Sequence, residues 1–181
     1  VVNSLLRYSS GLVPGDDGVA DMQVLTIAAV GAEPADLGVA VAQAAVMRSF
    51  GRGRVAIDAA GAPVIDFRLL DDERDRLRLR DGVRRLVSLC RHRSMAAVTE
   101  AVVLNGLDGS TGAGGLAGAD IDALLADDRA LDVWLAANTG DYVHACGTCR
   151  MGPAGVPGAV VDPFDGAVHG YEALHVIDAS V

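Results

Sequence analysis

The sequence predicts an α+β fold. Three observations carry that expectation. Several short segments alternate or are apolar on both faces at strand period, one long segment switches to helical spacing, and glycine-containing turns separate them. The 181 residues suffice for one domain with a real core and are too few for two ordinary ones.

Residues 9–21 are polar and hold the turn cluster Pro14-Gly15-Asp16-Asp17-Gly18. Residues 22–30 are apolar on both alternating faces, as a strand covered on both sides would be. The apolar run 37–47 reads as a second buried strand, and both runs fall well short of the roughly 20 residues needed to cross a bilayer. Residues 54–58 place Val55 and Ile57 on one face, and Ile65, Phe67 and Leu69 then alternate with Asp66 and Arg68. Residues 59–63, containing Gly61, join the two as a hairpin loop.

The period changes after Asp71-Asp72-Glu73, acidic residues suited to the positive end of a helix dipole. Leu79, Val83, Leu86, Val87 and Cys90 follow at helical spacing. Arginines at 74, 76, 78, 80, 84 and 85 interleave with Asp71, Asp72, Glu73, Asp75 and Asp81, which predicts a solvated, salt-bridged face rather than a nucleic-acid stripe. Residues 105–119 are glycine-rich, and 112–118 superficially resemble a dinucleotide-binding turn. They lack a strand–turn–helix setting, and Asp108 and Asp120 flank them where phosphate would be repelled, so a loop is expected. Residues 120–138 offer short helices with Asp128 as an N-cap and Leu131, Trp134 and Leu135 at core spacing. The final residues, 174–181, read as an apolar strand.

Composition narrows the function classes. The formal net charge is −9 and all 15 basic residues are arginine, a bias of GC-rich coding sequence. A pI near 4.7 argues against nucleic acid as a partner, because counterion release needs a concentrated basic face. Three cysteines do not make a disulfide framework, and the first residues lack the layout of a signal peptide, so a reducing cytoplasm is the expected location. The absent initiating Met and the abrupt apolar end lead us to expect a piece of a longer polypeptide.

The chemistry concentrates in Asp141-Tyr142-Val143-His144-Ala145-Cys146-Gly147-Thr148-Cys149-Arg150-Met151-Gly152. Three readings compete. Cys146, Cys149 and His144 could ligate a metal, but a structural zinc wants a fourth ligand and usually a second pair, for which only Cys90 and His92 remain as remote candidates. A thiol redox pair normally opens a helix, and Gly152-Pro153 follows almost at once; a covalent haem would need His where Arg150 stands. The third reading makes His144 a general base, the natural residue for taking a proton from an alcohol near neutral pH.

The segment from His144 to Gly152, followed by Val160-Val161-Asp162-Pro163, Val168-His169-Gly170 and Leu174-His175-Val176-Ile177-Asp178-Ala179-Ser180-Val181, resembles the C-terminal signature of the glucose-methanol-choline (GMC) flavoprotein oxidoreductases. Ser49-Phe50-Gly51-Arg52-Gly53-Arg54-Val55, with Pro63 and Ile65, is similar to that family's substrate-domain hairpin. The resemblance spans most of the chain and is loosest before Met22.

It implies an antiparallel sheet of about six strands with helices packed on one face, a substrate-binding domain over 1–143 and a catalytic-histidine and FAD-contacting segment over 144–181, in an enzyme that oxidises a small-molecule alcohol by hydride transfer to FAD. His144 falls at the family's active-site histidine. Asp178 and Ala179 match the residues that touch FAD, the aspartate through the ribityl–pyrophosphate region and the alanine through its backbone. Cys149 stands where cysteine is common without a redox role, which leaves no metal site expected. His169 and His175 are read as structural. The family's dinucleotide-binding glycine motif and the partner of the active-site histidine are not among these residues, so a flavin-binding Rossmann domain is expected elsewhere. The chain alone is then expected neither to hold FAD tightly nor to turn over substrate. The alternative is a non-catalytic binding or assembly module that pairs with a separate flavin-domain chain.

Overall fold

The computed structural model describes residues 2–14, 20–27, 38–104 and 115–181. Two compact units emerge, one from residues 1–52 and 69–140, the other from 53–68 and 141–181.

In the first unit, β1 (Val2–Tyr8), β2 (Met22–Ile27) and β3 (Val41–Val46) form an antiparallel sheet in that order. Cross-strand partners share a face, so the rows Tyr8–Met22–Val46 and Leu6–Val24–Ala44 lie on one side. Helix α1 (Glu73–Cys90) packs on β2 and β3, with Gly82 at the closest approach. A Cβ at Gly82 would sit 2.8 Å from Met22 Cε, 3.4 Å from Ala44 Cβ and 3.6 Å from the Tyr8 hydroxyl. Met22 is fully buried and cannot swing out to solvent. Gly82→Leu is therefore expected to lower unfolding stability by about 1–3 kcal/mol through overpacking, read by urea denaturation; an unchanged midpoint would show that helix and sheet do not meet there.

The helix follows its sequence pattern. Asp72 caps it by accepting from the Arg74 N–H at 2.9 Å, and the Arg74 guanidinium bound to the same carboxylate pulls the Asp72 pKa down to about 2. Leu79, Val83, Leu86 and Val87 are buried, and burial pushes the half-buried Cys90 thiol above its ordinary pKa. Short α2 (Arg93–Ala96) follows, and β6 (Val103–Leu104) pairs with β7 (Leu116–Ala117). Helices α3 (Ala119–Ala126) and α4 (Asp128–Asn138) close the unit. Ile121, Leu131 and Leu135 join Leu79, Val83 and Val87 in one core, with Trp134 partly buried against it.

The second unit holds a hairpin, β4 (Arg54–Ile57) and β5 (Pro63–Asp66). Asp58 Oδ1 closes its loop by accepting from the N–H groups of Ala60 and Ala62 at 2.8 and 2.9 Å. Residues 141–181 are mostly turns joined by single bridges, Met151 to Val161, Val161 to Val168 and Ala167 to His175, around a fully buried Val161.

Several expectations are corrected. In place of one six-stranded sheet, the described strands form separate sheets of three, two and two, because the β4–β5 hairpin belongs to the other unit and β6 and β7 are two residues each. Residues 174–181 are not a strand: only His175 bridges, and the Asp178 side chain folds the end into a turn. The alternation at 65–69 stops at Asp66, since Arg68 and Leu70 take positive φ of 48° and 65°. The cap of α4 is Asp127, which accepts from the N–H groups of Arg129 and Ala130, not Asp128. Strand β1 adds an element that the sequence reading did not single out. The arginine face is only partly solvated: Arg78 is 0% and Arg80 8% exposed, each engaged by carboxylates. Positions 15–18 of the expected turn cluster, 28–30 of the first expected strand, 37 of the second and 105–114 of the glycine-rich stretch lie outside the described residues. Among the described residues no helix is long and apolar enough to cross a membrane.

Candidate functional site

The predicted site residues all fall in the second unit. The approach to His144 is a tight bend. Asp141 Oδ1 accepts from the Val143 N–H at 3.0 Å, and Val143 takes φ 56°, a left-handed value rare for a β-branched residue. The Tyr142 and His144 rings flank that bend and meet edge to face, centroids 5.6 Å apart and planes at 66°. His144 is exposed and makes no hydrogen bond among the described residues.

Beyond it the C-x-x-C stretch forms a turn in which Gly147 takes φ 82°, a backbone conformation glycine adopts without a Cβ penalty. Cys146 is exposed, Cys149 is half-buried, and both thiols are free. No group of three His, Cys, Asp or Glu side chains converges as metal ligands among the described residues.

One backbone bond ties this turn to the C-terminal segment: the Cys149 N–H donates to the Ser180 carbonyl at 2.6 Å. Asp178 and Ala179 directly precede that acceptor, so the turn that follows His144 and the segment predicted to contact the cofactor are joined by a backbone bond rather than by sheet pairing. Asp178 Oδ1 accepts from the Ser180 hydroxyl and from its N–H at 2.8 Å. Those two donors, the hydroxyl first, hold the Asp178 carboxyl below its ordinary pKa. The side chain is exposed and ionised at neutral pH, so it offers an anionic acceptor. Such an acceptor fits the hydroxyls of a ribityl chain and would repel a pyrophosphate. No hydrogen bond or ion pair joins His144 to Asp178 among the described residues.

His169 Nε2 donates to the Gly152 carbonyl at 2.8 Å, and His175 Nδ1 lies 3.3 Å from the Asp165 carbonyl, consistent with structural roles. Arg150 is equally local, donating to the Pro157 carbonyl across its loop. The sequence reading did not single out Tyr142 or the Cys149–Ser180 bond. An aromatic residue two positions from a candidate base was the available signal for the first; the second joins residues 31 apart and leaves no local trace. A groove of about 590 Å³ lined by Arg84, Val87, Arg91, His92 and Leu125, among others, lies in the first unit and contains none of these residues.

Comparison with known proteins gives this geometry a setting. Residues 49–181 match the C-terminal family profile described as GMC oxidoreductase. The chain is 37% identical over 124 residues to 5-(hydroxymethyl)furfural oxidase of Methylovorus sp. (strain MP688), covering 68% of this chain and 22% of that protein. It is 31% identical over 138 residues to oxygen-dependent choline dehydrogenase of Cronobacter sakazakii, covering 75% and 21%. With pyranose dehydrogenase of Agaricus campestris it shares 30% over 138 residues, covering 75% and 20%. The chain thus spans about a fifth of the length of these curated relatives. By the extent of the family match and by these identities, the chain belongs to the GMC oxidoreductase family.

Proposed function

We propose that this chain supplies the substrate-domain and C-terminal part of an FAD-dependent oxidoreductase that oxidises an alcohol, with His144 as general base. The observation that carries the reading is the exposed His144, without a hydrogen bond among the described residues, on a turn bonded through Cys149 to the Asp178–Ser180 segment. GMC oxidoreductases are generally FAD-dependent, and the relatives named above are an oxidase and dehydrogenases. When bound, FAD supplies a two-electron acceptor for the hydride leaving the carbinol carbon. His144 takes the hydroxyl proton on an imidazole nitrogen, so that the carbinol carbon can become a carbonyl. Asp178 accepts from flavin-side hydroxyls and Ala179 offers its backbone N–H. In functional terms residues 1–143 form the substrate side and 144–181 the catalytic and cofactor-contacting side.

The cofactor assignment has a direct test. In the complete oxidoreductase carrying this chain, Asp178→Ala is expected to weaken FAD retention by roughly tenfold or more, as loss of a hydrogen bond to a charged acceptor does. Flavin absorbance after gel filtration measures it, and unchanged retention would remove Asp178 from the cofactor site.

A second reading, a non-catalytic module pairing with a separate flavin-domain chain, is favoured by apolar side chains left in water: Phe164 is 95%, Ile177 82% and Ile57 76% exposed. The intact mass of the native protein separates the two. One flavin-bearing polypeptide of oxidoreductase size supports the first reading, and a flavin-bearing second chain supports the other.

A further inference from the structure

We infer that Tyr142 is a positioning residue: its ring, held at the Asp141–Val143 bend, fixes the orientation of the His144 imidazole. The inference rests on the reading of His144 as general base. A base is useful only if its lone pair points at the substrate, and histidines in such roles usually owe their orientation to a hydrogen bond from the second ring nitrogen. His144 has no such bond among the described residues. What it does have is the Tyr142 ring, 5.6 Å between centroids at 66°, an edge-to-face arrangement that restricts rotation of the smaller ring.

The bend that brings the rings together is costly for this sequence. Val143 is β-branched, takes φ 56° and is 84% exposed, so its own side chain gains nothing from the conformation. The Asp141 carboxylate compensates by capping the Val143 N–H at 3.0 Å. A strained residue held open to solvent between two rings that touch is explained if ring contact is what the bend is for. Tyr142 is better covered than Val143 at the centre of the bend, 38% exposed against 84%.

The test uses the complete oxidoreductase with Tyr142→Phe, which keeps the ring, and Tyr142→Leu, which keeps bulk without it. Tyr142→Leu is expected to lower kcat roughly 10- to 100-fold with KM changed less than about twofold, the cost of a misaligned catalytic group. Tyr142→Phe should restore most of the loss. In the 181-residue chain, the His144 ring protons should lose their ring-current shift in Tyr142→Leu and keep it in Tyr142→Phe, a readout independent of flavin. Combining Tyr142→Leu with His144→Ala should cost no more than His144→Ala alone. If Tyr142→Phe is as impaired as Tyr142→Leu, the hydroxyl acts and the inference fails. It also fails if the His144 ring-proton shifts are the same in Tyr142→Leu as in the parent. If His144→Ala lowers turnover while Tyr142→Leu does not, the positioning role alone is overturned; if His144→Ala leaves turnover unchanged, the base reading falls first.

Discussion

Replacing His144 with alanine in an active oxidoreductase carrying this chain is expected to lower alcohol turnover by roughly 10²- to 10⁴-fold, the usual contribution of a general base. Flavin retention should not change, because the turn carrying His144 is bonded to the Asp178–Ser180 segment through the backbone of Cys149, and the substitution leaves that bond to Ser180 in place. The pH profile supplies the diagnostic. Without a base, the hydroxyl proton must leave to solvent hydroxide, so residual turnover should climb with pH where the parent enzyme levels off. His144→Gln refines the result, since glutamine can hydrogen-bond the hydroxyl and cannot take its proton. If His144→Gln kept parental turnover, His144 would be a binding group, and if His144→Ala did, the role assigned to it would be gone.

What was legible in the sequence divides by distance along the chain. Helix α1 could be read because Leu79, Val83, Leu86 and Val87 repeat at helical spacing and Asp72 caps within two residues, all local information. The β4–β5 hairpin was readable for the same reason, its loop closed by the nearby Asp58. The candidate base stood out because a histidine, two cysteines and an arginine crowd one glycine-punctuated turn. Pairing between strands farther apart was not legible, because the apolar run from Met22 says that it lies in a strand and nothing of which strands, β1 and β3, lie beside it. Nor was the burial of Arg78, which looked like one member of a mixed-charge face. Its partner Asp21 lies 57 residues away, and only the fold brings them together.

That arginine carries the second large expectation. Arg78 is 0% exposed and donates to Asp21 Oδ2 at 3.2 Å, to Asp75 and to the Arg74 carbonyl at 3.0 Å, with Phe50 stacked 4.9 Å from its guanidinium. Asp75 in turn accepts from the Ser49 hydroxyl at 2.9 Å and from the N–H groups of Phe50 and Gly51 at 3.0 and 2.7 Å, which fixes the turn before the hairpin. Asp21 accepts from the N–H and the hydroxyl of Ser10, both at 2.7 Å. Arg78→Met matches the length of the stem and strands two buried carboxylates. The expected loss is about 3–5 kcal/mol, a large share of the roughly 5–15 kcal/mol by which a domain is stable. Urea unfolding followed through Trp134, the single tryptophan and part of the same unit, measures it. Acid offers an independent check. Burial alone would raise the Asp21 pKa, and the bonds from Ser10 and Arg78 overcome that and hold it below its ordinary 3.8. A depressed carboxylate stabilises the fold above its unfolded pKa and loses that contribution as pH falls through the folded value. Parent stability should therefore hold down to about pH 4 and decline below it. In Arg78→Met the support from the guanidinium is gone, so the decline should begin at a higher pH. A variant as stable as the parent, with the same acid limb, would mean that the buried arginine contributes nothing that methionine cannot.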